Sequence, residues 1–124
     1  MANVLIAEDE TELAGTLAEV LRAAGHAVRT APDGSQALLL ARELAPDLVI
    51  SDWALGDPPD GLGLVEQMRA SCPELRVILM TAYPSPGLRA WAESNPGAGL
   101  LEKPFSLSDF RALVTRVLGV TGPA

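Results

Sequence analysis

Four short polar clusters follow apolar runs in this chain, and each carries a group capable of chemistry. Glu8-Asp9-Glu10 follows Val4-Leu5-Ile6-Ala7, and Asp52 follows Leu48-Val49-Ile50-Ser51. Thr81 follows Val77-Ile78-Leu79-Met80, and Glu102-Lys103-Pro104 follows Gly99-Leu100-Leu101. Taken one at a time, each has an ordinary explanation. Acids after a strand and before a helix favour the helix dipole, Asp52 could cap the next element, Thr81 suits a turn, and a lysine before proline is commonly a solvated charge. Brought together, they have a specific chemistry. Converging carboxylates repel and need a cation, and hard oxygen ligands without His or Cys select Mg²⁺. A lysine ammonium opposite the metal would hold a phosphate oxygen as a point charge, and a threonine hydroxyl would donate to another. Such a set suits phosphoryl transfer, in which positioning and charge neutralisation supply most of the catalysis. A carboxylate can itself become an aspartyl phosphate, and Asp52 stands alone on its segment, facing the acids.

The elements that must position these groups are legible in the hydrophobic pattern. The four apolar runs above, with a weaker fifth at Ala27-Val28, fit strands buried on both faces. Helical periodicity lies between them. Leu13, Leu17, Val20, Leu21 and Ala24 form one stripe, which Gly25 is placed to end. Ser35 to Leu44 follows the Asp33-Gly34 turn and stops before Pro46. Leu64, Val65 and Met68 mark a third helix, and a fourth runs from about Leu88 to Ser94, opened by Pro86 and closed by Asn95-Pro96-Gly97. The last starts from Ser106 as N-cap and ends its stripe at Gly119. Strand and helix thus alternate five times. A five-stranded, doubly wound parallel α/β sheet is predicted, with the ligand site at the carboxyl ends of the strands.

Composition narrows the functional classes. The 124 residues suit one domain, residues 1–124, with 119–124 as a short tail, and 48% hydrophobic against 20% charged residues supports a packed core over disorder. A net charge of −7 argues against nucleic acid or an anionic membrane as the main partner. Lys103 is the only lysine, the other eight basic residues being Arg. The single Cys72 can form neither an internal disulfide nor a zinc site, and a cytoplasmic location is expected from the absence of a signal sequence and of a membrane-length apolar run. Cys72 and His26 lack the neighbours that would make them reactive or ligating, and Asp57 and Asp60 read as loop-capping acids.

The ordered segments VLIAEDE, LVISDW, VILMTAY and LLEKPF resemble the receiver domain of bacterial two-component response regulators, across essentially the whole chain. The resemblance implies the (βα)5 flavodoxin-like fold with strand order 2-1-3-4-5. It implies that Asp52 accepts a phosphoryl group from the phosphohistidine of a sensor kinase or phosphotransfer protein. Mg²⁺, with Mn²⁺ as a substitute, would be held by Asp9, by Glu8 through water, by Asp52 and by the backbone carbonyl of Ala54. Thr81 matches the phosphate-sensing hydroxyl, Lys103 the salt-bridging lysine, and Pro104 the proline that commonly follows, often through a cis bond. The domain would be a phosphoacceptor rather than an enzyme, though capable of Mg²⁺-dependent self-phosphorylation and self-dephosphorylation. It would act as a monomer or weak dimer through a changed protein-interaction surface, without direct DNA or membrane binding.

The chain departs from that pattern in several places. The family usually has proline where Gly56 stands and reaches its Asp-Gly one residue earlier than Asp60-Gly61, so the loop after Asp52 should differ in shape. Leu100 occupies the position of the switch aromatic, and the segment Tyr83-Pro84-Ser85-Pro86-Gly87 should be stiff. Ala54 and Tyr83, the residues beside the in-line water by the same resemblance, carry no carboxylate or amide to orient it. Tyr83 is expected to cover the phosphate in part. Three other classes fit less well. A phosphatase of the haloacid-dehalogenase type would place a second Asp where Ala54 stands, and a nucleotide-binding domain would show a glycine-rich loop after the first strand. A degenerate, phosphorylation-independent interaction module would have lost an acid, the Thr or the Lys.

Overall fold

The computed structural model describes residues 1–55 and 60–119. Five strands, β1 (Asn3–Ala7), β2 (Ala27–Ala31), β3 (Leu48–Asp52), β4 (Arg76–Thr81) and β5 (Ala98–Glu102), alternate with five helices. These are α1 (Thr11–Ala23), α2 (Gly34–Leu44), α3 (Gly61–Ser71), α4 (Pro86–Ser94) and α5 (Leu107–Leu118). All strand pairs are parallel, as the alternation predicts, and the order is β2-β1-β3-β4-β5, the one the resemblance implies.

The period-2 alternation of the strands divides the core between the two faces of the sheet. Val4, Ile6, Leu48, Ile50, Ile78, Met80 and Leu101 pack against Leu17 and Leu21 of α1 and Phe110, Val114 and Val117 of α5. Leu5, Val49, Val77 and Leu79 face Ala37, Leu64, Val65, Met68 and Leu88 of α2, α3 and α4. Strands buried on both faces have no choice of register, because a slip of one residue would exchange the two sets. β2 is longer than its apolar run. As an edge strand it leaves Arg29 and Thr30 exposed, so only Val28 and Ala31 carry the apolar signal.

Helix boundaries follow local hydrogen bonding. Asp33, Asp60, Ser85 and Ser106 each sit at an N-cap and accept a hydrogen bond from the backbone N–H three residues on. Ser106 thus caps α5 as the sequence predicts, and Asp60, read as a loop-capping acid, caps α3. Gly25 has φ +95°, the left-handed conformation that lets the chain leave α1 without a Cβ penalty. His26 lies in the turn before β2, where its Nδ1 accepts the Ala2 N–H at 3.1 Å, a structural role. Cys72 is exposed at the end of α3. Asp57 and the Gly56–Pro59 part of the long loop lie outside the described residues, as do residues 120–124 of the tail.

Candidate metal and phosphoacceptor site

Strand parity explains why the chemical groups converge. Glu8 is two residues beyond Ile6, Asp52 two beyond Ile50 and Lys103 two beyond Leu101, and all three apolar residues belong to the layer under α1 and α5. The sheet ladder runs past the formal strand ends: Glu8 N–H donates to Ala31 O at 3.0 Å, and Lys103 N–H to Thr81 O at 2.7 Å. Glu8, Asp52 and Lys103 therefore emerge on one face of one edge.

There the Lys103 ammonium donates to Glu8 Oε1 at 2.8 Å and to Asp52 Oδ2 at 3.0 Å. The other oxygen of Glu8 accepts the Glu10 N–H at 3.1 Å, and Asp52 Oδ1 accepts the Ala54 N–H at 3.2 Å. Asp9 is exposed, yet Glu8, Asp9 and Asp52 each offer a carboxylate oxygen within 4.8 Å of one another. Three carboxylates against one ammonium leave an excess of negative charge. The donors are all hard oxygens, with no nitrogen or sulfur ligand among them, which fits a small hard divalent cation such as Mg²⁺.

Burial has its main electrostatic effect on Glu8, which is only 2% exposed. Desolvation pushes its carboxyl from 4.5 up to about 7, and Asp9 and Asp52 add to the rise, while hydrogen bonds from Lys103 and from the Glu10 amide oppose it. For Lys103, burial pulls the ammonium down, but hydrogen bonds and charge attraction from Glu8 and Asp52 outweigh it and leave the group raised.

Thr81 is buried at the end of β4, and its Oγ1 accepts the Tyr83 N–H at 3.1 Å. The Tyr83 side chain, expected to cover the phosphate in part, is 90% exposed. Leu100 is half-buried against the layer beneath α3 and α4. The Lys103–Pro104 peptide bond is cis. The sequence reading gave no role to Ser51, a fully buried hydroxyl that donates to Asp52 O at 2.9 Å. The signal was a lone polar residue in an otherwise apolar strand interior.

Comparison with known proteins gives a consistent picture. The family model for the response regulator receiver domain matches residues 4–115. The probable transcriptional regulatory protein TcrX of Mycobacterium tuberculosis is 37% identical over 123 residues, covering 96% of this chain and 52% of TcrX. The nitrogen assimilation regulatory protein NtrX of Azorhizobium caulinodans is 28% identical over 117 residues, covering 94% of this chain and 26% of that protein. The chain thus spans about half or less of the curated relatives it matches. Among solved structures, the non-phosphorylated HemR receiver domain of Leptospira biflexa superposes with a TM-score of 0.90 at 31% identity, covering 100% of this chain and 99% of that one. Vibrio cholerae chemotaxis protein CheY4 gives 0.84 at 28% identity, over 94% and 98% of the two chains.

Proposed function

Because the chain belongs to the response regulator receiver family, a phosphorelay module of two-component signalling, we propose that Asp52 is its phosphoacceptor and that Glu8, Asp9 and Asp52 hold a Mg²⁺ ion. The observation that carries this reading is the convergence of three carboxylates within 4.8 Å beside a lysine that bridges two of them. In the transfer, a carboxylate oxygen of Asp52 attacks the phosphorus of a kinase or phosphotransfer-protein phosphohistidine. The P–N bond breaks, the electron pair returns to the imidazole, and an acyl phosphate forms on Asp52. Bound Mg²⁺ supplies charge neutralisation for the phosphoryl oxygens.

The chain's own residues do the rest. Lys103 already points at Asp52 and would exchange that carboxylate for a phosphoryl oxygen, while Thr81 would donate its hydroxyl to another. Ala54 N–H fixes Asp52 Oδ1, and the Ala54 carbonyl would complete the protein ligands. The conformational readout would run from Thr81 through Tyr83 into α4 and over the face formed by α4, β5 and α5. A cavity of about 470 Å³ lies on that face, lined in part by Arg89, Glu93, Leu100 and Arg116. Its occupant would be a protein in the same, cytoplasmic compartment as the kinase. Among the described residues no helix is long and apolar enough to cross a membrane.

The reading is tested with a small phosphoryl donor such as acetyl phosphate. Trp53, next to Asp52, should change its emission when donor and Mg²⁺ are both present, and donor added after a chelator should produce no such change. No change under any donor and metal concentration would count against it.

A further inference from the structure

The peptide unit that follows Asp52 is held from every side. Its N–H, on Trp53, donates to Met80 O at 2.7 Å. Its C=O, on Asp52, accepts the buried Ser51 hydroxyl at 2.9 Å. The next carbonyl, on Trp53, accepts the Gly61 N–H at 3.0 Å. Gly61 opens α3 and rests directly on this backbone: a Cβ there would lie 2.9 Å from Trp53 Cα and 3.1 Å from Asp52 C, and closer still to Asp52 O. Backbone atoms cannot yield as a flexible side chain would, so only glycine allows the approach.

Strand parity puts Ser51 on the α3 side of the sheet, opposite the Asp52 carboxylate. Ser51 and Gly61 thus grip the carbonyl of Asp52 from behind while its side chain faces the acids. Holding that carbonyl fixes the backbone conformation at Asp52, which sets the direction of its Cα–Cβ bond and the path of the chain to Ala54.

We infer that Ser51 and Gly61 are positioning residues for phosphoryl transfer, setting the orientation of Asp52 and of the Ala54 carbonyl through the peptide unit between Asp52 and Trp53. The inference rests on Asp52 being the phosphoacceptor.

The test uses Ser51→Ala and Gly61→Ala, with three readouts: initial phosphorylation rate at saturating Mg²⁺ and acetyl phosphate by intact mass, Mg²⁺ affinity by tryptophan fluorescence, and the urea midpoint. A mis-aimed nucleophile should slow phosphorylation about tenfold at saturating metal, and Mg²⁺ affinity should weaken, under conditions where each variant is fully folded. A residue with a structural role alone would lower the urea midpoint and leave the folded protein's rate and affinity unchanged. That result in both variants overturns the inference. Should Gly61→Ala fail to fold, Ser51→Ala decides by the same criterion. A wild type that gains no phosphate overturns the phosphoacceptor reading and this inference with it. A wild type that gains it at a rate both variants match overturns the inference alone.

Discussion

The Lys103 ammonium lies 2.8 Å from Glu8 Oε1, joining residues 95 positions apart and closing the edge of the sheet at the site. Lys103 is also the only lysine in the chain, so its chemistry can be read without interference from any other side-chain amine. With its ammonium raised by two carboxylates, amine-reactive reagents should modify it far more slowly than the N-terminus in the folded protein. Peptide mapping before and after urea unfolding measures this. Equal modification in the two states would contradict the pairing.

Lys103→Arg should not restore phosphorylation-dependent signalling. The compact ammonium reaches both carboxylates from one point, and a planar, forked guanidinium cannot reproduce that geometry. Output from Lys103→Arg at the wild-type level would show that charge alone suffices.

Glu8 makes metal binding pH-dependent. Its carboxyl is raised to about 7, so the folded, metal-free protein binds a proton there that the unfolded chain releases above 4.5. The Glu8 contribution to stability is therefore full below pH 4.5 and is lost as pH rises to about 7. Mg²⁺ requires the ionised form, so its apparent affinity should fall as pH drops below about 7, by at most about tenfold per pH unit for a single competing proton. Glu8→Gln should remove this dependence. Mg²⁺ titrations from pH 6 to pH 8 by tryptophan fluorescence check both statements.

The switch should be carried by the segment from Ala82 to Gly87. Thr81 Oγ1 holds the Tyr83 N–H, Ser85 caps α4 and Pro86 opens it, so a movement of Thr81 toward phosphate pulls directly on this segment. Leu100 has no hydroxyl with which to take part. Amide exchange with and without beryllofluoride should show its largest changes between Ala82 and Gly87. Changes centred on Leu100 and α5, with that segment silent, would contradict this.

The acyl phosphate should persist longer than in receivers that carry a water-orienting amide or carboxylate. Ala54 offers neither, and a lost positioning interaction of this kind slows hydrolysis about tenfold or more. Because the Tyr83 ring is 90% exposed, Tyr83→Ala should leave the lifetime unchanged, whereas Ala54→Asn should shorten it. Decay of the phosphoprotein mass in Mg²⁺ buffer gives both values.

Much of this arrangement was legible in the residues themselves. The continuous apolar runs implied strands buried on both faces, and their parity carries Glu8, Asp52 and Lys103 to one side of one edge. β2 was harder to see because an edge strand keeps polar residues such as Arg29 and Thr30. The grip on Asp52 O was not legible, since it depends on residue 61 returning across a loop to touch residue 52. Proximity of that kind leaves no periodic signature. Nor was the outward position of Tyr83, because an aromatic between polar and proline residues carries no signal of the face it will find.

The most direct measurement is intact-mass analysis of wild type and Asp52→Asn after incubation with acetyl phosphate and Mg²⁺, with a chelator control. Wild type should gain one phosphoryl group only when the metal is present, and Asp52→Asn should gain none. A phosphoryl group on Asp52→Asn, or wild-type phosphorylation with chelator present from the start, would contradict the assignment of Asp52 and its metal-binding partners.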